Sequence, residues 1–186
     1  IVKFLPKERQ TIMFSATMPA KIQQLAQSIL NNPVEVKLAV SKPAEKIIQA
    51  AYMCYEHQKL GIIQSLFKNQ APERVIVFAS KKMKVKEVAQ AFHRMGLNVG
   101  EMHSDLEQAQ REQIMREFKN GHVNILVATD IVSRGIDIDD IRLVINYDVP
   151  NDCEDYVHRI GRTARANNDG CAITFVSEKE QTLFKT

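Results

Sequence analysis

From Ile47 onward, short runs of consecutive apolar residues alternate with longer stretches in which apolar positions recur every three or four residues. A run with no polar face predicts a strand in a parallel sheet, and the three-to-four spacing predicts an amphipathic helix against it. The predicted strands are "IIQAAYMCY", "RVIVFAS", "VGEMH", "NILVAT", "RLVINY" and "CAITFV". The predicted helices between them are "KLGIIQSLFKN", "KVKEVAQAFHRM", "EQAQREQIMREFKNG" and "CEDYVHRIGR". Strand and helix in turn indicate an α/β domain, a parallel sheet flanked by helices on both faces. Gly96 and Gly121 fall where helix C-caps belong, and Ser104 followed by Glu107 reads as a capping box.

The first forty residues follow another pattern. One strand, "TIMFSAT", one helix from about Ala20 to Leu30 and a short "VEVKL" strand precede the polar link "AVSKPAEK". A lone strand with one helix cannot bury its own apolar face. Residues 1–40 are therefore expected to be the remnant and linker of a preceding domain, and residues 41–186 a second domain. The "TIMF" strand, without a sheet of its own, is expected to be poorly ordered, docked on a neighbour or exchanged between chains. The abrupt start at Ile1 and the stop at Thr186, inside a helix-like stretch, read as the ends of a piece of a longer protein.

Composition narrows the class without naming a function. The 186 residues are 45% hydrophobic and 25% charged, as in an ordinary globular protein. A net charge of +3 is too small to make the whole surface attract polyanions, so any nucleic-acid role must come from where the charges sit. Cys54, Cys153 and Cys171 are odd in number and widely spaced, which argues against a disulfide framework and a zinc site and for a reducing cytoplasm. No apolar run approaches the roughly 18 residues of a membrane span, and the start of the chain lacks a secretory pattern.

In an open α/β sheet, ligands gather at the carboxyl ends of the strands. After "VIVFA" come Ser80, Lys81 and Lys82; after "VGEM" come His103, Ser104 and Asp105; after "ILVA" come Thr129 and Asp130. Hydroxyls, lysines and free helix N-termini suit successive phosphates. Taken singly, each Ser, Thr or Asp there also reads as a helix cap. "ATDIVSRGID", residues 128 to 137, packs hydroxyls, two acids, an arginine and a glycine into one loop. Gly135 permits a tight backbone path, and Asp137 either accepts from a ribose hydroxyl or belongs to a solvated acidic turn.

"HRIGRTAR", residues 158 to 165, concentrates cations. At about 100° per residue from Arg159, Arg162 lies at about 300°, His158 at about 260° and Arg165 at about 240°. Tyr156, Val157, Ile160 and Ala164 lie at about 60 to 160°, on the opposite side. Arg159 has Asp155 one turn earlier as an intrahelical partner, while Arg162 has no acid three or four positions away. Gly161 costs about 1 kcal/mol of helix propensity, which a close approach by a ligand or another backbone would explain. Arg162 and Arg165 are thus expected to meet an anion from outside this domain.

The missing motifs also count. There is no G-x-x-x-x-G-K-S/T loop and no D-E-x-D or D-E-x-H box, so this chain alone is not expected to cradle a triphosphate with its Mg²⁺. The five histidines form no H-x-x-x-H pair, and G-x-S-x-G is absent, which removes metalloenzyme and α/β-hydrolase readings.

These segments together resemble the second RecA-like domain of the DEAD-box ATP-dependent RNA helicases. "SAT" at 15 to 17 resembles the motif that closes their first domain; "VIVFAS" resembles the fourth motif, "HSDLEQAQR" the Q-x-x-R motif, and "ATDIVSRGIDI" and "YVHRIGRTAR" the fifth and sixth. Five motifs in family order cover nearly the whole chain. The resemblance implies that Arg162 and Arg165 are arginine fingers toward ATP, which with its Mg²⁺ is held mainly by the absent first domain. It implies that His158 lies in the interdomain interface and that Asp137 touches the ATP ribose beside Gly135. It implies that Ser80, Gln108, Arg111 and Thr129 hold the RNA backbone, along the edge that also carries Lys81 and Ser104. It implies that Ser15 and Thr17 couple hydrolysis to unwinding. Ser104 and Ala164 stand where the family pattern usually has glycine. Two other readings stay open: a non-enzymatic nucleic-acid-binding module, and the second domain of a DNA-directed motor.

Overall fold

A computed structural model describes residues 4–6, 8–15, 18, 20–36, 47–69, 72–130, 141–163 and 170–185. The chain divides into two compact units, Ile1–Ser41 and Lys42–Thr186. In the second, six strands form one sheet: β1 (Ile47–Met53), β2 (Val75–Phe78), β3 (Val99–Met102), β4 (Ile125–Ala128), β5 (Leu143–Asn146) and β6 (Gly170–Val176). Their order is β1-β6-β5-β2-β4-β3, and every neighbouring pair is parallel. All six strands expected from the apolar runs are present, with helices α2 (Lys59–Phe67), α3 (Lys82–Arg94), α4 (Gln108–Lys119) and α5 (Cys153–Ile160) between them.

The central strands lack a polar face because both sides of the sheet are covered. Val75 and Val77 of β2 point into a cluster with Ile63 and Phe67 of α2 and Val85, Val88 and Phe92 of α3. Ile76 and Phe78 point the other way, to Phe118 of α4 and Ile160 of α5. Gly96 and Gly121 adopt the left-handed backbone expected of glycines just past α3 and α4, with φ of 75° and 76°.

Two local expectations are corrected. The capping box of α4 is Glu107 with Gln110, whose Oε1 accepts the Glu107 N–H at 2.9 Å, and not Ser104 with Glu107. The offset arises because Ser104 and Asp105 still belong to the turn that leaves β3. Helix α5 ends at Ile160, with Gly161 as its C-cap, so Arg162 lies past the helix and not on its face. A Cβ on Gly161 would stand 2.9 Å from the Val157 carbonyl oxygen, so the glycine is required by its own helix end, whatever else approaches it.

In the first unit, α1 (Ala20–Ile29) forms where expected, and only Ala26 of it is buried. Residues 11–15 and 34–36 are not strands, which corrects the reading of "TIMFSAT" and "VEVKL" over those positions. Strands need a hydrogen-bonding neighbour, and no strand lies among the described residues of this unit. Phe14 is 93% exposed and Val34 91%. Among the described residues no helix is long and apolar enough to cross a membrane.

Candidate nucleic-acid interface

Parallel pairing sets the strand ends level. Phe78 pairs with Ala128 and with Asn146, and Ala128 with Met102. Two residues beyond those four positions stand Ser80, Asp130, Asp148 and Ser104, one row along the carboxyl edge. With strands about 4.8 Å apart, the row is broad enough for adjacent nucleotides of an extended strand. Ser80, Lys81, Ser104 and Gln108 are exposed, and Thr129 is half-buried, with its N–H on the Met102 carbonyl at 3.1 Å. Gln108 opens α4 and donates to Glu112 at 3.0 Å. Arg111 reaches back to the Ser104 carbonyl at 3.3 Å, and its buried Nε has no partner among the described residues. The expected phosphate-facing positions Ser80, Lys81, Ser104, Gln108, Arg111 and Thr129 therefore share one end of the sheet.

Asp148, which the sequence reading passed over, organises this edge. Its Oδ2 accepts both the backbone N–H and the hydroxyl of Ser80, each at 2.8 Å, and its Oδ1 accepts from Lys84 and from Lys59. Lys59 Nζ is fully buried among three carboxylates, 2.8 Å from Glu180, 2.9 Å from Glu56 and 3.3 Å from Asp148. Both ammonium groups also lie over the Tyr147 ring. The carboxylates thus close around lysines from α2 and α3, and Glu180 ties in the chain after β6 through Ser177 and Val149. A signal was available: Lys59 and Lys84 sit in the first turns of their helices, where the helix dipole disfavours a cation.

Burial alone would raise the carboxyls of Asp148 and Glu56 and lower the lysines. Hydrogen bonds across the cluster outweigh it, holding Asp148 and Glu56 below the ordinary carboxylate value and Lys59 and Lys84 above the ordinary amine value. Carboxylates depressed in the folded state stabilise it above their unfolded pKa of about 4. That contribution disappears as pH falls through the lower folded values. The lysine contribution is complete below about pH 10.4 and disappears only as pH rises through the raised folded values. The urea-unfolding midpoint should therefore drop in the acid range below about pH 4, and Asp148→Asn should flatten that acid limb.

In "HRIGRTAR" the expected pairing of Arg159 with Asp155 is corrected. Arg159 is buried and makes a two-pronged bond to Asp130, Nε to Oδ1 at 2.6 Å and Nη2 to Oδ2 at 2.7 Å. Its Nη1 donates to Asn146 Oδ1 and the Asp148 carbonyl, and Asn146 in turn donates to Thr174. Helix angles and local spacing offer Arg159 no partner nearer than Asp155. The folded chain supplies acceptors at the ends of β4 and β5 that nothing local in the sequence reveals.

His158 is half-buried. Arg162, also half-buried, is positioned by the end of α5 and by Thr163, which pairs with Ile141 and donates its hydroxyl to the Ile141 carbonyl. Ser15 lies in the non-strand stretch of the first unit. Thr17, Gly135, Asp137 and Arg165 fall outside the described residues, as do Ala164 and the "ATDIVSRGID" loop from Ile131 onward.

Residues 58–167 match the model of the helicase conserved C-terminal domain. The DEAD-box ATP-dependent RNA helicase CshA of Geobacillus kaustophilus is 44% identical over 181 residues, covering 97% of this chain and 39% of that protein. The chain thus spans well under half the length of that relative. Among solved structures, Saccharomyces cerevisiae Dbp5 bound to RNA and ADP BeF3 superposes with a TM-score of 0.84 at 30% identity, over 98% of this chain and 49% of that one. A DEAD box protein from Methanococcus jannaschii gives a TM-score of 0.72 at 36% identity, over 99% of this chain and 50% of that one. The level row of polar strand ends thus sits on a RecA-like sheet, and the chain belongs to the helicase conserved C-terminal domain family, in its DEAD-box branch.

Proposed function

We propose that this chain is part of an ATP-dependent RNA helicase, residues 1–40 being the tail and linker of a first RecA-like domain and residues 41–186 the second. The observation that carries the reading is the row of polar residues at the level ends of β3, β4 and β2, where Ser104, Thr129, Ser80 and Lys81 offer hydroxyls, amides and a cation while the Asp130 carboxylate is engaged by Arg159. Lys81, Ser104, Gln108, Arg111 and Thr129 contact the sugar-phosphate backbone, so binding is independent of base sequence and weakens steeply with salt.

The residues present fit one side of a nucleotide site and not a whole one. Arg162 and Arg165 face the phosphates, Asp137 and Gly135 the ribose, and His158 the partner domain, while the sequence carries no G-x-x-x-x-G-K-S/T motif. ATP, when bound with Mg²⁺ by the first domain, supplies the phosphoryl group that is hydrolysed. Arg162 and Arg165 stabilise charge on the transferred group, and Ser15 and Thr17 relay domain closure to the RNA. The Geobacillus CshA is named as an RNA helicase and the Dbp5 structure holds RNA, which supports RNA over DNA as the track.

The test is ATP turnover by the full-length protein with RNA or with DNA of the same sequence. RNA should stimulate turnover and DNA should not, while residues 1–186 alone should bind RNA weakly and turn over no ATP. Stimulation by DNA equal to that by RNA would overturn the RNA assignment, and turnover by residues 1–186 alone would overturn the division of the site.

A further inference from the structure

Ser80 is exposed at the end of β2, yet both of its donors are committed inward, its N–H and its hydroxyl each 2.8 Å from Asp148 Oδ2. An ionised carboxylate has no proton to give, so between the two oxygens the proton belongs to Ser80. Lys84 and Lys59 on the other carboxylate oxygen keep Asp148 charged, consistent with its depressed pKa. The Ser80 oxygen therefore faces solvent with lone pairs alone. A phosphate oxygen also offers only lone pairs, and the two do not bond. Turning the hydroxyl toward a phosphate would give up a bond to a buried charged acceptor, the stronger kind.

An RNA backbone carries one donor per nucleotide, the ribose 2′-hydroxyl, and a DNA backbone carries none. We infer that Ser80, oriented by Asp148, accepts a hydrogen bond from a ribose 2′-hydroxyl of the bound strand and is a residue that selects RNA over DNA. The inference rests on the proposed function and refines it. Lys81 and Arg111, which have donors only, take the phosphates, and Ser80 takes the sugar between them. The Asp148 cluster is a positioning device, because it decides which way the Ser80 proton points.

The experiment uses the full-length protein with a non-hydrolysable ATP analogue and an unstructured RNA oligonucleotide. One series of that RNA carries a single 2′-deoxy substitution at each position in turn, and a second carries single methylphosphonates. Binding is read by fluorescence anisotropy. With the unaltered protein, one or more 2′-deoxy positions should weaken binding by about 2- to 10-fold, the worth of one hydrogen bond. In Ser80→Ala, unmodified RNA should bind weaker by a similar factor. The penalty at one of those positions should vanish, all other 2′-deoxy and methylphosphonate penalties should remain, and Ser80→Thr should restore the lost one. If Ser80→Ala leaves every 2′-deoxy penalty in place, or removes a methylphosphonate penalty instead, Ser80 is not a 2′-hydroxyl acceptor. Failure of the unaltered protein to bind the unmodified RNA would overturn the proposed function, and this inference with it.

Discussion

Arg162→Ala in the full-length protein should lower RNA-stimulated ATP turnover by roughly 10³- to 10⁵-fold, the range over which arginine fingers act in phosphoryl transfer. Arg162 lies past the last residue of α5, and its backbone N–H bonds to the Arg159 carbonyl at 3.2 Å, a contact independent of the side chain. Gly161 and the Thr163–Ile141 pairing hold the backbone on either side. The alanine variant keeps this path and loses only the guanidinium. Arg162→Lys should recover little, because an ammonium cannot reproduce the planar two-donor fork. RNA binding with a non-hydrolysable ATP analogue separates the effect on chemistry from an effect on the RNA track. Turnover within a few-fold of the unaltered protein would remove Arg162 from the finger role.

Where several residues repeat one message, the fold is legible in the sequence. "VIVF" and "ILVA" have no polar face, and each became a strand covered on both sides. Gly96 and Gly121 marked helix ends because few side chains tolerate their φ. The same patterning failed for "TIMF", because a strand is defined by a neighbour and the described part of that unit holds none. The row of polar strand ends was readable from "VIVFAS" and "ILVATD", and by the same rule "VINYD" pointed to Asp148. What Asp148 does was not readable. Its partners Lys59, Lys84 and Ser80 are 89, 64 and 68 positions away, and such pairings appear only once the sheet brings its strand ends together.

Arg159→Met should destabilise the second unit by about 3–5 kcal/mol, the usual cost of removing one partner from a buried charge pair. Arg159 and Arg162 are three residues apart and chemically identical, so only their surroundings separate this outcome from the preceding one. The Arg159 guanidinium lies over the Phe78 ring at 5.3 Å and gives bonds to Asp130, Asn146 and the Asp148 carbonyl. Methionine fills part of the volume but leaves Asn146 Oδ1 and the Asp148 carbonyl without that donor, and Asp130 facing an apolar group. Arg159→Lys should recover only part of the loss, since a single ammonium cannot serve the two Asp130 oxygens and the β5 acceptors together. Denaturant unfolding of Arg159→Met, Asp130→Asn and the double variant gives the coupling directly. The double variant should be less destabilised than the sum of the singles, because both singles break the same pair of Arg159–Asp130 bonds. If Arg159→Met cost under about 1 kcal/mol, as an exposed pair would, the bonds of Arg159 to Asp130, Asn146 and the Asp148 carbonyl would not hold the fold.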